Sequence, residues 1–207
     1  MINVKICGVT NIDDALMVCD AGADVVGFVF YDKSPRYLSP SLAAKIVKQL
    51  PPFLTTVGVF VDQKGVYIRE VLEETGIDII QLHGNETPGF CSGFGKRVIK
   101  AFRVKDNGQN IISEFSRYRT SAYLLDTYQE DIPGGTGMVF DWDKAIEAKG
   151  FGRVILSGGL NPDNIRDAVK MVKPYAVDVS SGVEVRPGKK DENKVRAFIC
   201  RAKGACE

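Results

Sequence analysis

The sequence predicts an α/β protein closed into a (β/α)8 (TIM) barrel, and three observations carry that prediction. Eight short apolar, β-branched runs recur along the 207 residues. Segments with helical periodicity lie between them. The first run is followed by Cys7-Gly8-Val9-Thr10 rather than a G-x-G-x-x-G turn, which argues against a doubly wound dinucleotide fold. Strand–helix alternation places a parallel sheet inside and helices outside. Eight such units are the number that closes the sheet on itself.

Taken in order, the expected strands are Asn3–Ile6, Val25–Phe30, Thr55–Val61, Ile77–Leu82, Val98–Phe102, Ala122–Leu125, Val154–Leu156 and Ala176–Val179. Apolar spacing at i, i+3, i+4 and i+7 marks helices at Ala43/Ile46/Val47/Leu50 and Ile68/Val71/Leu72/Thr75. The same template recurs at Ile165/Ala168/Val169/Val172 and Val195/Phe198/Ile199/Ala202, each giving one apolar stripe and one solvated face. Ser39-Pro40 and Asn161-Pro162 read as N-caps followed by proline at the first helical position. Thr10 and Asp141 are weaker cap candidates, and Gly22, Gly76 and Gly150 stand where helices should stop. Pro51-Pro52 reads as a turn. No linker or low-complexity stretch interrupts the pattern, so residues 1–207 are expected to form a single barrel domain.

Composition narrows the function. With 44% hydrophobic and 26% charged residues and a net charge of +1, the chain looks like an ordinary globular protein. It has no bulk charge for non-specific nucleic-acid or membrane-surface binding. No apolar run is long enough to span a bilayer, which takes roughly 18 residues. The N-terminus has no signal-peptide pattern. The five scattered cysteines and one histidine make neither a zinc framework nor a convincing disulfide set. The expectation is a protein of the reducing cytoplasm.

In such barrels the active site lies at the C-terminal strand ends, often with a phosphate site after strands seven and eight. Alternation of side chains turns Lys5 and Cys7 of strand one toward the barrel axis, with Val4 and Ile6 outward. The same parity points Asp126 inward from strand six, Asp178 from strand eight, and Gln81 with His83 from strand four. Glycine- and serine-rich loops follow strands six, seven and eight: Gly134-Gly135-Thr136-Gly137, Ser157-Gly158-Gly159-Leu160 and Ser180-Ser181-Gly182-Val183-Glu184. Such loops bring backbone N–H groups up to an anion, so together they favour a phosphorylated ligand.

Plainer readings stand beside these. Cys7 is also readable as a small apolar plug, although Lys5 on the same face favours a thiolate. Asp126 is also readable as a cap or a cation's partner, and Arg36 as a solvated loop charge, although Pro35 stiffens its loop. His83 reads more readily as a hydrogen-bonded structural residue than as a base. Trp142 is expected to pack a helix start, and Lys189-Lys190 to form a solvated turn. A metal-dependent sugar-phosphate epimerase, an indole-glycerol-phosphate-forming lyase and a non-enzymatic phosphate-binding barrel remain as alternatives on the residues alone.

One set of motifs runs through nearly the full chain: Lys5-Ile6-Cys7-Gly8, Gly27-Phe28-Val29-Phe30, Ser34-Pro35-Arg36-Tyr37, Val57-Gly58-Val59-Phe60 and Gln81-Leu82-His83-Gly84. It continues through Leu125-Asp126, Gly134-Gly135-Thr136-Gly137, Leu156-Ser157-Gly158-Gly159-Leu160 and Asp178-Val179-Ser180-Ser181-Gly182-Val183-Glu184. In this order the motifs closely resemble the phosphoribosylanthranilate isomerase family of tryptophan biosynthesis. The resemblance implies a cofactor-free Amadori rearrangement of a small phosphorylated substrate, with Asp126 as general acid and Cys7 as general base. Arg36 is then expected to bind the anthranilate carboxylate, with Gln81 and Asp178 as further substrate contacts. Gly135, Gly137, Gly158, Gly159, Ser180 and Ser181 are expected to hold the phosphate. These roles require a raised Asp126 pKa and a lowered Cys7 pKa, with Lys5 as the lowering agent. Monomer and homodimer are both compatible with the pattern.

Overall fold

The computed structural model describes residues 2–104, 112–127 and 142–205. Eight parallel strands form a closed barrel in sequence order, each hydrogen-bonded to the next and the eighth to the first. They are β1 (Asn3–Cys7), β2 (Val25–Val29), β3 (Thr55–Phe60), β4 (Ile79–Leu82), β5 (Arg97–Val104), β6 (Ala122–Thr127), β7 (Val154–Leu156) and β8 (Ala176–Val179). Helices α1 (Ile12–Asp20), α2 (Pro40–Val47), α3 (Gly65–Thr75), α4 (Pro88–Cys91), α5 (Ile112–Phe115), α6 (Trp142–Ala148) and α7 (Ile165–Val172) occupy the connections. After β8 come a 3-10 turn (Ser181–Val183), a small antiparallel hairpin of β9 (Glu184–Arg186) and β10 (Lys189–Lys190), and α8 (Glu192–Lys203).

The predicted parity positions the core. Val4, Ile6, Tyr123, Leu125, Val177 and Val179 face outward and join the buried layer between sheet and helices. Ile99, Ala101, Ala122, Leu124, Ile155 and Ala176 fill the barrel interior as a separate cluster. Nearer the C-terminal strand ends a third cluster gathers Cys7, Val29 and Val59. The barrel is therefore a packed core in layers, as inward-pointing side chains of alternating strands require.

All four residues of the predicted stripes on α3 and α8 are buried. Ser39 caps α2, accepting from the Leu42 N–H, with Pro40 at the first helical position. Gly76 ends α3 in the left-handed conformation that only glycine adopts without strain. Trp142 packs, partly buried, against the main core.

Some expectations are corrected. Asn11, not Thr10, caps α1, because the Thr10 hydroxyl is taken by the Gly188 carbonyl at 2.6 Å. Helix α7 starts at Ile165 with Asn164 before it, so Asn161-Pro162 is not its formal cap. The Asn161 side chain instead accepts from the Asp163 and Asn164 N–H groups, and its carbonyl from Ile165, which sets up the turn leading into the helix. Cys200 is disulfide-bonded, although the scattered spacing of the five cysteines made no convincing disulfide set. The proposed Asp141 cap lies outside the described residues. Among the described residues no helix is long and apolar enough to cross a membrane.

Candidate active site

The C-terminal strand ends open onto a cavity of about 540 Å³ lined by Cys7, Arg36, Gln81, His83, Arg103, Asp126, Asp178 and the loops 157–160 and 180–182. Each described site residue named from the sequence, together with His83, therefore lines one chamber. Gly135 and Gly137 lie outside the described residues.

Parallel register explains the neighbours. Lys5 stands opposite Asp178 across the β1–β8 seam, and their buried side chains form a 2.9 Å ion pair. Cys7 stands opposite Gly27. A Cβ at Gly27 would come within 2.9 Å of the Cys7 Sγ, so glycine there makes room for the thiol. Asp178 also accepts from the Ser157 hydroxyl at 3.3 Å, which ties the loop after β7 to β8. Arg103 pairs in register with Asp126 and was not singled out from the sequence.

The expected lowering of the Cys7 pKa is not what the site provides. Burial pushes the thiol up; Lys5 opposes it, Asp178 reinforces it, and Lys190 pulls down more weakly. The physical reason is burial first, and the Asp178 carboxylate that Lys5 grips offsets part of the Lys5 field at Cys7. For Lys5 itself burial disfavours the charge, but Asp178 and Cys7 outweigh burial and raise its pKa.

His83 connects two members of the site. Its Nδ1 lies 3.1 Å from the Gln81 amide nitrogen, and its Nε2 lies 3.1 Å from Asp126 Oδ2. The Gln81–His83–Asp126 chain thus ties the end of β4 to the end of β6, with the imidazole in contact with the carboxyl group. The other amide atom, Gln81 Oε1, is buried and without a hydrogen-bond partner among the described residues, as is the Ser180 hydroxyl. Burying such a group unpaired costs about 1–3 kcal/mol, and both residues line the chamber.

In the loop after β7, expected from the sequence to meet a phosphate, Gly158 and Gly159 both take positive φ, 81° and 64°. A Cβ on Gly182 would sit 2.0 Å from the Leu160 carbonyl oxygen, so the loops after β7 and β8 approach closely only because that residue is glycine. Adjacent glycine turns of this kind have the geometry that can cradle an anion.

The predicted solvated turn at Lys189-Lys190 is overturned. The Lys190 side chain is fully buried; it pairs with Glu184 at 2.8 Å and donates to the Cys7 carbonyl at 2.6 Å and the Ser180 carbonyl at 3.3 Å. Lys189 pairs with Asp14 of α1. Pro187-Gly188 was the available signal, since Pro followed by Gly at positive φ marks a tight chain reversal of type II character; Gly188 has φ 81°. Glu184 also binds Arg36, whose Nε and one terminal nitrogen donate to it at 2.9 and 2.6 Å.

Comparison with known proteins accords with the geometry. A family model described as N-(5'phosphoribosyl)anthranilate (PRA) isomerase matches residues 4–201. The N-(5'-phosphoribosyl)anthranilate isomerase of Geobacter sulfurreducens is 53% identical, over 99% of this chain and 100% of its own. The crystal structure of phosphoribosyl anthranilate isomerase from Thermotoga maritima superposes with a TM-score of 0.91 at 44% identity, covering 99% of this chain and all of that one. Another solved isomerase, in complex with reduced 1-(o-carboxyphenylamino)-1-deoxyribulose 5-phosphate, matches at TM-score 0.87 and 42% identity, over 99% of this chain and 100% of its own. With the family model matching from β1 into α8, the chain belongs to the phosphoribosylanthranilate isomerases, enzymes of tryptophan biosynthesis that interconvert an aldose and a ketose.

Proposed function

We propose that this chain carries out the Amadori rearrangement of N-(5-phosphoribosyl)anthranilate to 1-(2-carboxyphenylamino)-1-deoxyribulose 5-phosphate with Asp126 as general acid and Cys7 as general base. One observation carries the reading: a thiol from β1 and a carboxyl group from β6 line the same chamber, with Arg36 and the Gly158–Gly159 and Ser180–Ser181 loops also on its walls. The relative bound to the reduced product analogue supports the choice of substrate.

The chemistry follows from those groups. Asp126 gives its proton to the ribose ring oxygen, the C1–O bond breaks, and the anilino nitrogen's lone pair forms the protonated Schiff base. The Asp126 carboxylate left behind accepts the His83 Nε2 proton as a hydrogen bond. Cys7 thiolate removes the C2 proton, and that electron pair moves to give the enolamine. Tautomerisation returns a proton to C1 and leaves the C2 ketone. The aldose carbon is reduced as its neighbour is oxidised, so the rearrangement needs no external oxidant or reductant.

Arg36 takes the anthranilate carboxylate, Gln81 and Asp178 flank the sugar, and Gly158, Gly159, Ser180 and Ser181 hold the phosphate, with Gly135 and Gly137 of the undescribed loop proposed alongside them. Anchoring both charged ends holds C1 and C2 between acid and base, and such orientation is worth several kcal/mol of barrier. The reading takes residues 1–207 as one barrel domain, cytoplasmic, working as a monomer or homodimer on a free small molecule, with neither nucleic acid nor membrane as partner.

The test follows loss of phosphoribosylanthranilate, generated in situ, by fluorescence. Cys7→Ser and Asp126→Asn should each lower kcat by about two to four orders of magnitude while circular dichroism and thermal unfolding stay near those of the parent. Near-parental turnover in either variant removes that residue from its role.

A further inference from the structure

The hairpin after β8 has no part in the chemistry above, yet it carries two buried charges into the wall of the chamber. Glu184 accepts from Arg36 Nε at 2.9 Å and from one terminal nitrogen at 2.6 Å, a bidentate grip on one edge of the guanidinium. A guanidinium has five N–H groups in a fixed plane. With Nε–H and one terminal N–H committed to Glu184, three N–H groups are left, and two of them form the end-on edge, with one hydrogen from each terminal nitrogen. That edge matches a second, planar carboxylate in the same two-bond geometry. The Arg36 side chain is about one-fifth exposed while Glu184 is almost wholly buried, and Arg36 lines the chamber. Gly8 makes the placement feasible, because a Cβ there would fall 2.5 Å from Arg36 Cδ.

Lys190 completes the arrangement. Its ammonium lies 2.8 Å from Glu184 Oε1 and also donates to the Cys7 and Ser180 carbonyls, so one buried cation ties the ends of β1 and β8 to the carboxylate that holds Arg36. Arg36 and Lys190 against Glu184 leave this cluster one positive charge in excess. An excess positive charge on the wall of the chamber favours an incoming anion.

We propose that Glu184 is a positioning residue that selects the substrate's carboxylate, by fixing the Arg36 guanidinium edge-on to the chamber, and that Lys190 keeps the cluster net positive. The proposal rests on the reading of Arg36 as the carboxylate ligand, and the experiment separates the two.

Steady-state KM and kcat are measured for Arg36→Ala, Glu184→Gln, their double variant and Lys190→Met, with thermal unfolding recorded for each. Glu184→Gln should raise KM about tenfold, the scale of a charge-assisted hydrogen bond, with kcat changed much less. This holds even though the substitution makes the cluster more positive, and bulk charge alone predicts the opposite sign. In the Arg36→Ala background Glu184→Gln should add little, because it acts through the residue already removed. Lys190→Met should also raise KM, by cancelling the excess charge.

An unchanged KM in Arg36→Ala sinks the ligand assignment and this proposal with it. A raised KM in Arg36→Ala, with Glu184→Gln neutral, beneficial or fully additive, overturns the positioning role and leaves Arg36 in place. An unaltered KM in Lys190→Met overturns the charge role. If Glu184→Gln does not fold, Glu184→Asp decides: it keeps the charge, withdraws the carboxylate by one methylene, and should still raise KM.

Discussion

Cys7 sits under opposing influences at the tip of β1. Burial and the Asp178 carboxylate disfavour its thiolate, while Lys5 and, more weakly, Lys190 favour it, and the balance lies above the ordinary thiol value. The Cys7 thiol is thus held mainly protonated near neutral pH. We expect alkylation of Cys7 by iodoacetamide, followed on its own peptide by mass spectrometry, to keep rising past the pH of about 8.5 at which an ordinary thiol is half-ionised. Lys5→Met should push that profile higher still; a midpoint below the ordinary value in the parent protein would contradict the balance described. The strand parity that brings Lys5, Cys7 and Asp178 to one face was legible in the alternation of Val4, Ile6, Val177 and Val179. The sign of the Cys7 shift was not, because it depends on which charge Lys5 actually touches.

Among the elements, the β9–β10 hairpin illustrates how a charged turn becomes structural. Asp14 on α1 accepts from the Lys190 N–H at 2.9 Å and pairs with Lys189. Burial works against its charge, but these hydrogen bonds outweigh burial and hold its carboxyl below the usual range. Glu184 behaves alike: burial raises, while Arg36 and Lys190 together lower. For both carboxylates the unfolded chain takes up protons first as the solution is acidified. Their stabilisation is present above the ordinary carboxylate pKa, about 4, and is lost as pH falls from there through the folded values. Asp14→Asn should cost about 1–3 kcal/mol at neutral pH and flatten the acid limb of stability. Urea unfolding at a series of pH values measures both, and an acid slope equal to the parent's would show that Asp14 is not its source.

At the scale of the whole molecule, closure depends on the seam between first and last strands. Asn3, Val4, Lys5 and Ile6 of β1 pair with Ala176–Val179 of β8. Helix α8 packs beside that seam with Val195, Phe198, Ile199 and Ala202 buried. Phe198 is among the largest fully buried side chains, and truncating such a residue costs about 3–5 kcal/mol. Phe198→Ala should therefore shift the urea midpoint strongly without altering KM in the fraction that remains folded. A loss under about 1 kcal/mol would mean the helix is dispensable to the barrel, contrary to its burial.

Read alone, the sequence determined the period and punctuation of the fold: eight apolar runs, the Ser39-Pro40 cap, the Gly76 stop, and the inward set of Cys7, Gln81, Asp126 and Asp178. Those features depend on residues a few positions apart, where steric and hydrogen-bonding rules act within one strand or turn. Tertiary structure alone decided that Lys190 reaches the carbonyl of Cys7, 183 residues away, that Glu184 holds Arg36 across 148 residues, and that His83 meets Asp126 across 43. A charge has no partner until the barrel closes, and closure, by setting which strands lie side by side and in what register, chooses that partner.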